Sequence, residues 1–258
     1  MKIILCLVLM LSSQLATARK PETQPPTYAI WNIDTGHMLS SENSDTVRSL
    51  ASITKLMTVL VVLESGVNLN EQVTVTGTEG SQKIRRGMLI TRKELIDLAL
   101  VASDNLAART LAETSGVSYD QFVITMNETA NKLKMFDTSY SDSTGLLATN
   151  VSTAKDIKLL VQETERYPQF KNSAMSEKSS IGVWVKNKLR EVPFKNTNQF
   201  AGQLNIISAK TGTTNAAGRC LTMFFQANEQ RYILVVMGAS SKDQRYKMVS
   251  KLIDTVTK

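Results

Sequence analysis

Apolar and polar positions set two rhythms along this chain. Tyr28 to Ile33 and Met38 to Ser40 alternate as half-buried strands do, and Asp34-Thr35-Gly36 supplies a hairpin turn between them. Leu50 to Leu63 is different: it is apolar on nearly every side of a helical wheel, as a helix inside a core is. Polar Ser41 to Ser49 leads into that helix, and Ser65-Gly66 ends it. Gln72 to Thr76 alternates as a short strand, and Gly77 to Gly87 is a loop with Lys83, Arg85 and Arg86. Thr91-Arg92-Lys93-Glu94 is a capping box for a helix carrying Leu95, Ile96, Leu98, Ala99 and Leu100. Ser103-Asp104-Asn105 then turns the corner into a second helix with Leu106, Ala107, Ala108, Leu111 and Ala112. Another helix runs from about Tyr119 to Leu133, capped by Ser118; Ser141 to Asn150 is a polar turn, and a further helix spans about Ser152 to Glu165.

From Tyr167 to Gln203 helical period is weak, and Gly182 to Val185 and Glu191 to Phe194 read as short strands. Asn205 to Lys210, Cys220 to Gln226 and Tyr232 to Met237 are three more strands, with Asn228-Glu229-Gln230 turning between the last two. Ser241 to Val256 closes the chain as an amphipathic helix. The expected fold class is mixed α/β of the α+β kind: an antiparallel sheet of the first hairpin and the three late strands, flanked by helices, with a helical lobe inserted between its halves. The sheet lobe takes about 27–50 and 183–258, the helical lobe about 51–182.

The N-terminus changes the picture of where the protein works. Met1 to Leu11 has a positive start and a short apolar run, and Ala16-Thr17-Ala18 fits a small-x-small cleavage pattern, so residues 1–18 read as a signal peptide. The run falls short of the ~20 residues that span a bilayer, and no later segment is apolar for longer. The expectation is a single catalytic domain of residues 19–258, periplasmic or secreted, opening on the polar arm Arg19 to Pro26 and with no transmembrane segment. Cys6 leaves with the leader, so Cys220 has no disulfide partner and reads as a small buried hydrophobe. The net charge, +7 for the chain and +6 without Lys2, suits an acidic wall polymer or an anionic surface and equally a solvated basic exterior. No nucleic-acid motif is present, so no nucleic-acid partner is expected.

One histidine in 258 residues restricts the chemistry. A Ser-His-Asp triad or a multi-histidine zinc site would have to use His37, which follows a hairpin turn. No metal and no cofactor are therefore expected. Inside the apolar helix, however, Ser52 and Lys55 lie three residues apart and share one face. A lysine in such surroundings loses its charge more easily, and a nearby second cation lowers its pKa further. It can then take a proton from a hydroxyl. Ser152-Thr153-Ala154-Lys155 repeats the spacing but opens a helix with an ordinary polar face, where Ser152 reads as the N-cap and Lys155 as a solvated first-turn residue.

Two more short motifs follow Ser52-Ile53-Thr54-Lys55: Ser103-Asp104-Asn105 and Lys210-Thr211-Gly212. Each has a plain reading, Ser103 as a helix cap and Lys210-Thr211-Gly212 as a strand end with a glycine turn. Together they match the triple found in penicillin-binding proteins and class A β-lactamases. As one cleft they assign Ser52 as nucleophile, Lys55 as base and Lys210 as the second cation that keeps Lys55 neutral and attracts an anionic substrate end. Ser103 would relay a proton to the leaving amine, Asn105 would hold a peptide amide and Thr211 a terminal carboxylate. Gly212 would let a substrate strand approach, and the N–H groups of Ser52 and Thr213 would form an oxyanion hole.

The chain resembles the low-molecular-mass penicillin-binding proteins, serine DD-peptidases that trim peptidoglycan. Beyond the triple, the resemblance rests on Ser52 to Thr58, Ser143-Thr144-Gly145-Leu146, Asn150 to Ala154, Asn196-Thr197-Asn198 and Lys210 to Gly218. These look most like the small D-alanyl-D-alanine endopeptidase branch, which implies a DD-peptidase/β-lactamase-like fold and no added C-terminal domain or anchor after Lys258. It implies an acyl-enzyme on Ser52, formed at D-Ala-D-amino-acid bonds of peptidoglycan stem peptides, and slow acylation by β-lactams. The alternatives are a D-Ala-D-Ala carboxypeptidase, a class A-like β-lactamase, for which no Glu-x-x-Leu-Asn pattern follows Ser103, and a non-catalytic wall-binding or β-lactam-sensing protein. Thr213 occupies a position that varies in the family. Arg219, one strand step away, reads as a surface arginine or as a carboxylate ligand.

Overall fold

In the computed structural model, which describes residues 25–185 and 188–257, the alternating segments pair as the pattern requires. Strands β1 (Thr27–Asn32) and β2 (Met38–Glu42) form the first hairpin, and β3 (Arg48–Ser49) follows. Helix α1 (Thr54–Glu64) is entered through a single 3-10 turn, Ala51–Ile53, so Ser52 stands just ahead of the helix and Lys55 within it. Nine of its eleven residues are buried, among them Leu56, Met57, Val59 and Leu60, each of which stabilises the fold by roughly 1.5–3 kcal/mol when fully removed from water.

After β4 (Gln72–Thr74) and β5 (Leu89–Thr91), α2 (Arg92–Leu100) starts at the expected capping box: Glu94 N–H donates to Thr91 Oγ1, and Thr91 N–H donates to Glu94. Helices α3 (Asn105–Glu113) and α4 (Tyr119–Lys132) complete this group, and Ser118 caps α4 through Gln121 N–H. Strand β6 (Val151–Ser152) precedes α5 (Ala154–Glu163). Here the reading of Ser152 as a cap is corrected. Thr153 accepts from Asp156 N–H, whereas Ser152 is buried beside Thr138 Oγ1 at 2.7 Å. Lys155 is solvated as expected and pairs with Asp45.

Pro168–Met175 is a helix, α6, where little helical period is visible. It is short, begins at a proline suited to the first helical position, and buries Phe170, Ser173 and Ala174 against α2 and the strand Asn205–Thr214, so packing rather than pattern makes it. Strands β7 (Lys178–Val185) and β8 (Lys188–Lys195) are longer than expected and, among the described residues, pair only with each other.

The main sheet is completed by β9 (Asn205–Thr214), β10 (Gly218–Ala227) and β11 (Gln230–Ala239), in the order β2-β1-β11-β10-β9, every neighbour antiparallel. The tight turn between β10 and β11 uses Asn228 and Glu229, both at positive φ, the signature of a primed hairpin turn. Alternation sends Cys220, Phe224, Ile233 and Val235 toward the helical group on one face. Leu221, Met223, Phe225 and Leu234 face the closing helix α7 (Lys242–Thr257), which buries Tyr246, Val249, Leu252 and Ile253. Strand β9, which carries the last of the three motifs, is therefore an edge beside the start of α1. No helix among the described residues is long and apolar enough to cross a membrane.

Candidate active site

The turn carrying Ser52 is gripped from two sides. Ala51 takes a positive φ of 46°, and two glycines lie against it. A Cβ on Gly145 would sit 1.8 Å from the Ala51 carbonyl oxygen, and one on Gly212 would sit 3.0 Å from that of Leu50. Both glycines allow backbone to touch backbone, and that contact brings the 142–147 turn and the β9 edge to Ser52.

Lys55 is wholly buried. Its Nζ donates to Asn105 Oδ1 and to the Thr144 carbonyl, both at 2.7 Å, and stands 2.9 Å from Ser52 Oγ. The first two partners only accept, so two N–H bonds are committed to them. The third corner of the amine faces Ser52, where it presents a proton when charged and a lone pair when neutral. Burial pushes this amine down to about 7, against the opposing pull of Asp142 and Asp104.

Ser103 joins from the corner between α2 and α3 in a left-handed conformation, φ 59°. The cap of α3 is Asp104, through Ala107 N–H at 2.9 Å, which corrects the plain reading of Ser103 as cap. Ser81 Oγ holds the other carboxylate oxygen of Asp104 at 2.5 Å. Ser103 Oγ is thereby left for the cleft, where it accepts from Lys210 Nζ at 2.8 Å. Lys210 is 1% exposed and also donates to the Thr211 carbonyl. Burial, then the nearby charges of Lys55 and Arg245, lower its pKa well below that of a free lysine.

These groups surround a cleft of about 610 Å³. Ser52, Ser103 and Asn105 line one side; Thr211, Gly212 and Thr213 line the other; Lys55 and Lys210 lie beneath, bonded to the two serines. All eight residues singled out from the sequence thus meet in one place. Thr211 Oγ1 bonds Thr197 Oγ1 at 2.7 Å, while Thr213 Oγ1 turns back to the Gly212 carbonyl.

Other residues also belong to this site; Thr144 and Asn150 lie in segments that carry the resemblance, but the sequence assigned them no role. The Thr144 carbonyl that receives Lys55 is fixed by Asp142, whose carboxylate accepts from Thr144 N–H, Thr144 Oγ1, Gly145 N–H and Leu147 N–H. Asn150 ties that turn to α1 through Thr54 Oγ1 at 3.0 Å. Arg245, on α7, reaches the cleft although the pattern shows only an amphipathic helix. Arg219 is half-buried in the cleft wall, so its reading as a surface arginine is corrected. His37 is exposed in its hairpin, and Cys220 is buried with its thiol pushed up to about 11 by that burial.

A family profile described as D-alanyl-D-alanine carboxypeptidase matches residues 14–241. The D-alanyl-D-alanine endopeptidase of Escherichia coli K12 is 35% identical over 244 residues, covering 92% of this chain and 78% of its own. The Streptomyces K15 DD-transpeptidase shares the fold, with a TM-score of 0.81 at 24% identity over 88% of this chain and 94% of its own. Penicillin-binding protein D2 of Listeria monocytogenes in its ampicillin-bound form has a TM-score of 0.78 at 26% identity, over 88% of this chain and 95% of its own.

Proposed function

The chain belongs to the D-alanyl-D-alanine carboxypeptidase family, whose members are serine DD-peptidases, and from that premise we propose that it opens peptidoglycan crosslinks as a DD-endopeptidase. The observation that carries this reading is the Lys55 amine, two of its N–H bonds committed and its third corner aimed at Ser52 Oγ. Neutral Lys55 takes the Ser52 proton as Oγ attacks the D-Ala carbonyl carbon. The oxyanion that forms is held by the N–H groups of Ser52 and Thr213. Collapse breaks the C–N bond, and the leaving amine receives its proton through Ser103, whose hydroxyl lies against Lys210. Water then adds to the ester with Lys55 again as base, freeing Ser52.

Binding follows from the same walls. Asn105 gives its carbonyl oxygen to Lys55, which leaves its amide N–H₂ for a substrate peptide carbonyl. Thr211 receives the carboxylate beside the scissile nitrogen, and the Lys210 amine lies next to it, donating to the Thr211 carbonyl. β-Lactams acylate Ser52 because they imitate the D-Ala-D-Ala amide; the ampicillin-bound relative supports this. The preference for crosslinks over terminal D-Ala is supported by the endopeptidase that is 35% identical. Residues 1–18, which lie outside the described residues, act in this reading as a leader that delivers the catalytic domain to the periplasm or the exterior.

Digestion of purified muropeptide dimers tests the proposal. Wild type converts dimers to monomers, and Ser52→Ala does not. Release of terminal D-Ala with no dimer cleavage would reassign the enzyme as a carboxypeptidase, and no conversion by wild type would remove the hydrolytic reading.

A further inference from the structure

The cleft is unbalanced in charge. Arg219, Lys242 and Arg245 all line it, and no Asp or Glu is among the described residues lining it. Arg245 is 5% exposed; one of its terminal nitrogens donates to the Cys220 carbonyl at 3.3 Å, and its Nε has no partner among the described residues. Arg219 is half-buried, its Nε is shut off from solvent, and its guanidinium makes no hydrogen bond or ion pair with any described residue. Lys242 is exposed at the start of α7 and makes no ion pair with a described carboxylate. Buried guanidinium N–H groups left without acceptors are costly, and their natural complement is a carboxylate or phosphate oxygen arriving with the ligand.

Two separate positions are involved. Arg245 lies under Cys220, which pairs with Gly212. Arg219 stands directly across the ladder from Thr213, one residue further along β9. A single carboxylate beside the scissile nitrogen engages one of these positions and leaves the other cations unmatched. We propose that Arg219 and Lys242 form a second anion subsite, which takes an additional carboxylate carried by the leaving amine component. A leaving group that is one amino acid with one acid cannot fill it. A leaving stem peptide with a further free carboxylate can. The inference rests on the DD-endopeptidase reading and gives a physical basis for it: charge on the leaving side selects crosslinks over chain ends.

The experiment compares kcat/KM for an acidic muropeptide dimer, for the same dimer with the leaving side's extra carboxylates amidated, and for a pentapeptide ending in D-Ala-D-Ala. In wild type the acidic dimer is preferred over its amidated form by about tenfold or more, the size of a charge-assisted hydrogen bond, mainly through KM. Arg219→Gln and Lys242→Gln each reduce that preference, and the pair removes it; Arg219→Lys retains part of it. Added salt weakens the preference in wild type and not in the double variant. The exposed Lys242 provides a variant that does not disturb the sheet. If wild type cleaves both dimers alike, or if Arg219→Gln lowers all three substrates in equal proportion, the subsite is refuted while the endopeptidase reading stands. If wild type cleaves only the pentapeptide, both fall together.

Discussion

In the proposed mechanism Lys55 governs the chemistry, because burial favours its neutral form. A lysine with its pKa at about 7 rather than 10.5 gives up its proton far more readily than in water, and the fold bears the cost. In that interval the unfolded chain binds the proton that the folded chain has lost. Stability therefore rises with pH from about 7 toward 10.5 and is smallest below 7. Lys210, also depressed, adds a slope of the same sign. Urea unfolding across this range should show a shallower pH slope in Lys55→Met than in wild type; equal slopes would place the Lys55 proton on the folded protein throughout. In the proposed mechanism the same group sets the rate. Acylation by a fluorescent penicillin should climb about tenfold per pH unit below 7 and level off above it, as the neutral fraction does. Lys55→Arg keeps the charge and cannot deprotonate, so it should slow labelling at least about a hundredfold.

Elements deliver these groups by close backbone approach. Gly212 is expected from the sequence to admit a substrate strand, and the structure adds a second role, since the Ser52 turn rests on it. In Gly212→Ala the new methyl presses on Leu50 and Ala51, so the turn shifts while β9 keeps its ladder. Labelling of Ser52 should fall by about ten- to a hundredfold, the scale of a misplaced nucleophile, with the urea midpoint little changed. A midpoint that drops with the rate would make Gly212 a folding residue only. This contact shows where the sequence was readable. The capping box at Thr91, the cap at Ser118 and the alternation of β10 and β11 depend on neighbours a few residues away, and pattern finds them. The helix Pro168–Met175 and the Thr144 carbonyl do not. One is formed by burial against distant elements, the other acts through a backbone atom 89 residues from Lys55.

At the scale of the molecule, the antiparallel sheet and the helical group between its halves bring three short motifs to one cleft. Ser103 and Lys210 are 107 residues apart in sequence and 2.8 Å apart in space. The motifs were legible as words; their meeting was an expectation that only the packing of β9 against the Ser52 turn makes physical. Arg245 was not legible as a site residue, and Arg219 only as one of two readings, because an arginine on an amphipathic helix or strand end has the same pattern whether it faces solvent or a cleft. The fold also chooses between two equal spacings. Lys55 is buried beneath the cleft that Ser52 lines, while Ser152 is sealed in the interior and Lys155 is solvated beside Asp45.

Intact-mass measurement after exposure to benzylpenicillin reads that choice directly. Wild type and Lys155→Ala should each carry one long-lived penicilloyl group, located on the peptide containing Ser52, and Ser52→Ala should carry none. An adduct that persists in Ser52→Ala, or one found on the Ser152 peptide, would contradict the account.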